Sequence, residues 1–152
     1  MPATALEHEA GLTWLGTENL GGLVGMPPGQ TSQFSGSCTN DSGAPIHIFS
    51  FWPHMHTLGR HMRSTVTGSG GEDVVFDRPF DFNQQVAYDA EVVLMPGDVI
   101  TSTCTFDNVT DRAVPWGPST DQEMCYQFAF SYPAGALDNG VPSLNGSMNT
   151  CW

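Results

Sequence analysis

The sequence predicts an all-β fold, an antiparallel β-sandwich of jelly-roll type, and two observations carry that expectation. Seventeen glycines and eleven prolines, with recurring serine and threonine, cut the 152 residues into short pieces, and no stretch sustains a helical period. Between these breaks lies a succession of short alternating or apolar runs bounded by turn signals, the pattern of a sandwich.

Taken in order, residues 1–23 read as an irregular, polar, Gly-rich lead-in, with one short strand expected over 16–25. Residues 24–152 read as a single domain of ordinary size. Pro27, Pro28 and Gly29 make a turn, and 31–38 alternates as a strand ending at Cys38. After a turn at 40–43, residues 46–56 form the most apolar strand, rich in Ile, Phe and Trp. Ile46, Ile48, Ser50, Trp52, His54 and His56 share one parity there, and His47, Phe49, Phe51, Pro53 and Met55 the other. Pro53 has no amide donor, so this strand must lie at an edge or bulge just before the histidines. Further strands are expected over 61–67, 73–77, 86–94, 99–106 and 126–132, with a hairpin loop at 68–71 and a turn at 95–98. The longest polar connection is 107–123, and the tail from 133 reads as a loop unless Cys151 pins it.

Composition narrows the function. Sixteen acidic residues face four arginines, Arg60, Arg63, Arg78 and Arg112, and no lysine, for a formal charge of -12. Such a chain repels phosphate backbones and anionic lipid, which argues against nucleic acid and membrane partners. No run approaches the roughly 20 apolar residues of a membrane span. Four cysteines, widely spaced and with no Cys-x-x-Cys pair, point to two disulfides and an oxidising compartment, with three pairings open. The first residues show neither a basic start nor an apolar run. The expectation is a mature form or excised domain of a secreted or periplasmic protein, without its signal peptide.

The chemistry centres on Pro53-His54-Met55-His56-Thr57-Leu58-Gly59-Arg60. Two histidines two apart on an extended strand point to the same side and can converge on one ion. Gly59 lets the chain turn away tightly after them. Alone, the pair fits structural histidines equally well.

The partners are more specific. Pro27-Pro28-Gly29, Cys38, the histidine run, Phe80-Asp81-Phe82-Asn83-Gln84, Pro96-Gly97-Asp98-Val99 with Cys104-Thr105-Phe106, Glu123-Met124-Cys125 and Cys151 occur in a familiar order. Over roughly residues 24–152 the chain resembles the C-terminal, catalytic-copper domain of the copper type II, ascorbate-dependent monooxygenases, the family of peptidylglycine α-hydroxylating and dopamine β-monooxygenases.

The resemblance implies one copper held by His54, His56 and Met124. The chemistry agrees: a thioether is soft and favours Cu(I), imidazole suits both oxidation states, and three protein ligands leave a position for O2 or another small ligand. It also implies disulfides Cys38–Cys151 and Cys104–Cys125, and ascorbate or another external reductant. His47, of opposite parity, reads as structural. His61 reads as an exposed neighbour or outer-shell partner. His8 lies in the unpatterned lead-in.

Two departures bear on function. Peptide-amidating members carry an arginine two residues before the first ligand histidine, and an asparagine and a tyrosine two and four after the methionine. Here those positions are Trp52, Tyr126 and Phe128, a candidate surface for a small apolar or aromatic substrate rather than a peptide carboxylate. Trp116 reads as either an extension of that surface or core packing. Two-domain members also hold a second, electron-supplying copper on three histidines, including an adjacent pair, and no adjacent pair occurs here. The electron would then come from a separate domain or protein. Three readings follow: a copper monooxygenase-like oxidoreductase, a non-catalytic copper-binding or delivery module, and a disulfide-stapled interaction sandwich without metal.

Overall fold

The computed structural model describes residues 7–137 and 149–151. Every regular element among the described residues is a strand: β1 (Gly11–Thr17), β2 (Gln30–Thr39), β3 (Ile46–His54), β4 (Gly59–Gly68), β5 (Gly71–Pro79), β6 (Tyr88–Leu94), β7 (Val99–Asn108), β8 (Cys125–Tyr132) and β9 (Asn149–Cys151). They form two antiparallel sheets, ordered β6-β3-β8-β1-β9 and β2-β7-β4-β5. The expected all-β sandwich is the architecture observed.

The core lies between the sheets. Leu15, Ile46, Ile48 and Phe51 from one sheet and Met62, Ile100 and Phe106 from the other are each no more than 1% exposed. Burying an apolar side chain of this size stabilises by roughly 1.5–3 kcal/mol. Cys104 and Cys125 join β7 to β8, and therefore one sheet to the other, across 21 positions. Cys38 and Cys151 join β2 to β9 across 113 positions, so the end of the described chain is pinned to an early strand.

Three local features differ from the sequence reading. The first strand is Gly11–Thr17, not 16–25, and lies inside the segment expected to be irregular. Its inner face includes Thr13 and Thr17, which are 2% and 1% exposed, and these polar residues hide the alternation. Far from being a lead-in, β1 sits between β8 and β9. Gly36 of β2 lies so close to the Gly16 backbone that a Cβ would overlap the Gly16 carbonyl. The corner where the two sheets meet therefore needs a glycine.

The second difference is on β3, whose register against both β6 and β8 shifts between Ile48 and Ser50. Burial changes parity there, from Ile46 and Ile48 to Phe51 and Pro53. Trp52 and His54 consequently face outward on the same side as His47, and the expected opposition of His47 and His54 does not hold. Pairing with β6 ends at Phe51↔Tyr88, so Pro53, which cannot donate, faces no β6 strand.

The third is length. β4 and β5 extend from Gly59 to Pro79 around a tight hairpin with Gly68 opposite Gly71, longer than the 61–67 and 73–77 expected. Most of β5 is exposed, so its alternation is weak at the ends.

The long Cys38–Cys151 closure gives a stability expectation. Replacing both cysteines by alanine should cost about 2–5 kcal/mol of folding free energy, read from urea unfolding with the m-value fitted separately because the released unfolded chain exposes more surface. A loss under about 1 kcal/mol would mean that the bridge does not restrain the unfolded chain.

Candidate metal centre

β3 and β8 pair up to His54↔Tyr126, and there the ladder stops. His56 lies two residues beyond β3, and Met124 lies immediately before β8. The two chain ends therefore continue side by side past the sheet, and the three predicted ligands come from these two ends. The rings of His54 and His56 approach to 5.3 Å between centroids at 84°. His56 is 5% exposed. Met55, pointing the other way, is fully buried in the core.

Hydrogen bonds fix both imidazoles in one tautomer. His56 Nδ1 lies 2.9 Å from the Gln122 carbonyl, which can only accept, so Nδ1 carries the proton. His54 Nδ1 lies 2.7 Å from Gln85 Oε1, and Gln85 Nε2 donates to the Phe82 carbonyl at 3.1 Å, which orients the amide. Both Nδ1–H groups thus donate, and both Nε2 atoms keep their lone pairs. This is the outer-shell pattern of metal-binding histidines, in which the distal N–H is tied to a carbonyl and the other nitrogen is a neutral donor. Burial lowers the His54 pKa below its ordinary 6.5, the Gln85 bond opposes this, and neighbouring His56 lowers it further. Neutral imidazole is the form that ligates.

The turn between the histidines and β4 is packed tightly. The Gly59 amide donates to the His56 carbonyl at 3.2 Å. A Cβ on Gly59 would fall 2.6 Å from Met55 Cβ and 3.0 Å from a Phe80 ring carbon. The glycine is needed for close approach, not for an unusual backbone angle. Glu123 is fully buried, and its carboxylate accepts the backbone N–H of His56 at 2.8 Å and of Leu58 at 2.6 Å. Burial raises its pKa, opposed by the bonds from Leu58, His56 and Met124 amides and by the proximity of His56.

The remaining sequence candidates are dispersed. Phe128 stacks against His54 at 5.7 Å and 21°, and Trp52 meets Phe128 edge-on at 5.8 Å. Trp52 is 38% exposed, whereas Tyr126 is 1% exposed, its hydroxyl donating to Glu18 at 3.2 Å. Trp116 is half-buried and donates to the Tyr126 hydroxyl at 3.2 Å, so it braces the aromatic cluster from its edge. His61 pairs with Asp77 at 2.8 Å on the β4–β5 hairpin. His8 and His47 stack on Tyr132 at 4.4 and 4.7 Å, in both cases with the rings nearly parallel. Gln85 escaped the sequence reading. The only signal was its place in the polar loop after Phe80-Asp81-Phe82-Asn83-Gln84.

Among the described residues no three His, Cys, Asp or Glu side chains gather as a metal cage. Met124, the sequence's candidate for a third donor, lies immediately before β8, whose first pair with β3 is Tyr126 opposite His54. Two neutral nitrogens and a thioether suit copper and disfavour zinc or a hard cation.

The sequence profile of the copper type II ascorbate-dependent monooxygenase C-terminal domain matches residues 8–150. The chain belongs to this family. It is 33% identical to the DBH-like monooxygenase protein 1 of Gallus gallus over 123 residues, covering 71% of this chain and 20% of that protein. It is 30% identical to the dopamine beta-hydroxylase of Equus caballus over 149 residues, covering 90% of this chain and 24% of that one. The human putative DBH-like monooxygenase protein 2 is 30% identical over 135 residues, 78% of this chain and 27% of its own length. The chain therefore spans about a fifth to a quarter of the monooxygenases it matches. The match begins at residue 8 and so takes in β1, the strand missing from the sequence reading.

The His54 environment gives a pH expectation for the metal-free protein. The His54 ring should titrate below 6.5, followed by NMR, and Gln85→Leu should lower it further, because the Gln85 acceptor favours the protonated ring. With the folded value depressed, the unfolded chain takes up the proton first, so stability is lost as pH falls through the ordinary histidine value. A higher titration point in Gln85→Leu would remove Gln85 from this role.

Proposed function

We propose that this domain holds one copper through His54, His56 and Met124 and serves as the O2-activating half of a copper- and ascorbate-dependent monooxygenase. The observation that carries the reading is the pair of imidazoles at 5.3 Å, both with Nδ1–H committed to oxygen acceptors and both with Nε2 left to donate. Copper bound there would supply one-electron redox chemistry with O2 as oxidant.

The chain's own residues do the rest. Gln85 and the Gln122 carbonyl hold the rings in the ligating tautomer. Met124 adds a soft donor that stabilises the reduced metal. Trp52 and Phe128 offer an apolar, aromatic surface beside His54. No arginine occurs on β1, β3, β6 or β8, and the four in the chain lie at 60, 63, 78 and 112. A substrate carboxylate finds no clamp on this sheet, which supports a small apolar or aromatic substrate. Relatives named for dopamine point to the same class. The two disulfides suit an oxidising compartment, and we place the protein in a secretory or periplasmic setting.

The electron balance defines the partner. Hydroxylation, R–H + O2 + 2e⁻ + 2H⁺ → R–OH + H2O, needs two electrons, and one copper cycles by one. No group of three His, Cys, Asp or Glu side chains that could hold a further copper occurs among the described residues. The second electron would come from another domain or protein, with ascorbate or another reductant as the source.

Copper binding tests the ligand set. Metal analysis after dialysis should give one tightly held copper, and His54→Ala or His56→Ala should abolish it. Met124→Ile should still bind Cu(II) while Cu(I) affinity and the redox potential fall. An unchanged potential would take Met124 out of the site.

Turnover is a separate measurement. With ascorbate and O2 this chain should form hydrogen peroxide slowly and hydroxylate phenethylamines or glycine-extended peptides poorly. Efficient, coupled hydroxylation of a glycine-extended peptide by this chain alone would show that neither a second copper nor a basic clamp is required.

A further inference from the structure

The β3–β8 ladder ends at His54↔Tyr126, yet two of the three proposed ligands, His56 and Met124, lie beyond it. Something other than sheet pairing must hold them together, and a single side chain occupies that place. Glu123 is 0% exposed. Its Oε2 accepts the His56 amide at 2.8 Å and its Oε1 accepts the Leu58 amide at 2.6 Å. The Glu123 backbone is itself anchored, its N–H donating to Pro115 at 3.1 Å and its carbonyl accepting from Gly117 at 3.0 Å. Gln122, its neighbour, supplies the carbonyl that fixes the His56 ring.

We infer that Glu123 is a positioning residue that sets the Met124 sulfur against the His56 ring, a role that rests on the copper reading above. Its carboxylate does for the two chain ends what ladder hydrogen bonds do within the sheet.

The chemistry selects a carboxylate. An apolar residue would leave the amides of His56 and Leu58 buried without acceptors. Glutamine has one acceptor oxygen, and its amide nitrogen would face a second N–H donor. Only a carboxylate presents an acceptor on each side. None of the ion pairs among the described residues involves Glu123, so its buried carboxylate relies on these amide donors and on the nearby His56 rather than on an ion pair. A sequence retaining such a group gains orientation from it rather than an ion pair.

The test uses the intact chain loaded with Cu(I) and reads the metal's neighbours by X-ray absorption, with Met124→Ile as the sulfur-free reference. Wild type should show two imidazoles and one sulfur. In Glu123→Gln the imidazoles should persist, the sulfur contribution should fall to less than half, and Cu(I) affinity should drop about 10- to 100-fold, the usual scale for losing an outer-shell partner. Glu123→Asp keeps both oxygens one methylene short and should lose sulfur partially, which keeps the test open where the glutamine variant fails to fold. A lowered melting temperature with the sulfur signal and Cu(I) affinity unchanged would overturn the inference and leave Glu123 as a fold-stabilising carboxylate only. Wild type that binds copper without sulfur, or binds none, would overturn the ligand set and this inference together.

Discussion

The pairing of β3 with β8 is the constraint on which the rest depends. These strands are far apart in sequence, yet their register places His54 opposite Tyr126 and leaves both chain ends running past the sheet together. A slip of one residue would turn His54 toward the core and send Phe51 outward, because side chains alternate along a strand. The register is held from several directions. Phe51 is buried on the inner face, Cys125 is bonded to Cys104 on the opposite sheet, and β1 pairs with the far side of β8 over Gly11–Thr17. The disulfide falls directly after Met124, so the strongest tether on β8 lies beside the proposed sulfur ligand.

Much of this was legible in the chain. Turn residues and short runs pointed to the fold class, and the histidine spacing with Glu123-Met124-Cys125 named segments that the structure brings to one end of the β3–β8 pair. What the sequence concealed has physical causes. β1 was missed because the threonines on its buried face read as polar. The relation of His47 to His54 was misjudged because a bulge between Ile48 and Ser50 reverses parity, and a strand with both faces apolar gives no sign of where it reverses. Gly59 was read as a turn glycine, but its need is for space against Met55 and Phe80, which only three-dimensional packing reveals. Gln85 and Glu123 meet the histidine segment through hydrogen bonds across 31, 65 and 67 positions, and no local pattern encodes such bonds.

The aromatic residues near the histidines show how one sheet face can serve both packing and recognition. Trp14, Phe128 and Tyr126 form edge and stacked contacts at 5.1 to 6.3 Å, and Phe128 continues the stack onto His54. Such pairs prefer these offset and edge geometries because the ring quadrupoles repel face to face. The cluster stiffens the outer face and limits the rotation of the His54 ring, while Trp52 at its rim stays open to solvent. The face thus combines order around His54 with an exposed aromatic side chain beside it.

The position of the histidines relative to the ladder sets them apart from a histidine pair inside a sheet. Within a sheet, a histidine pair is flanked by neighbouring strands on both sides, and added ligands would complete a closed shell. Here β6 pairing ends at Phe51 and β8 pairing at His54, so the two histidines lie at and just beyond a sheet end rather than between paired strands. An uncapped end leaves the chain mobile unless other bonds replace the ladder. The Glu123 carboxylate, the Gln122 carbonyl and the Gln85 amide are those bonds, each made to a group within two residues of the end of β3 or at it. These hydrogen bonds take over where the β3–β8 ladder stops early.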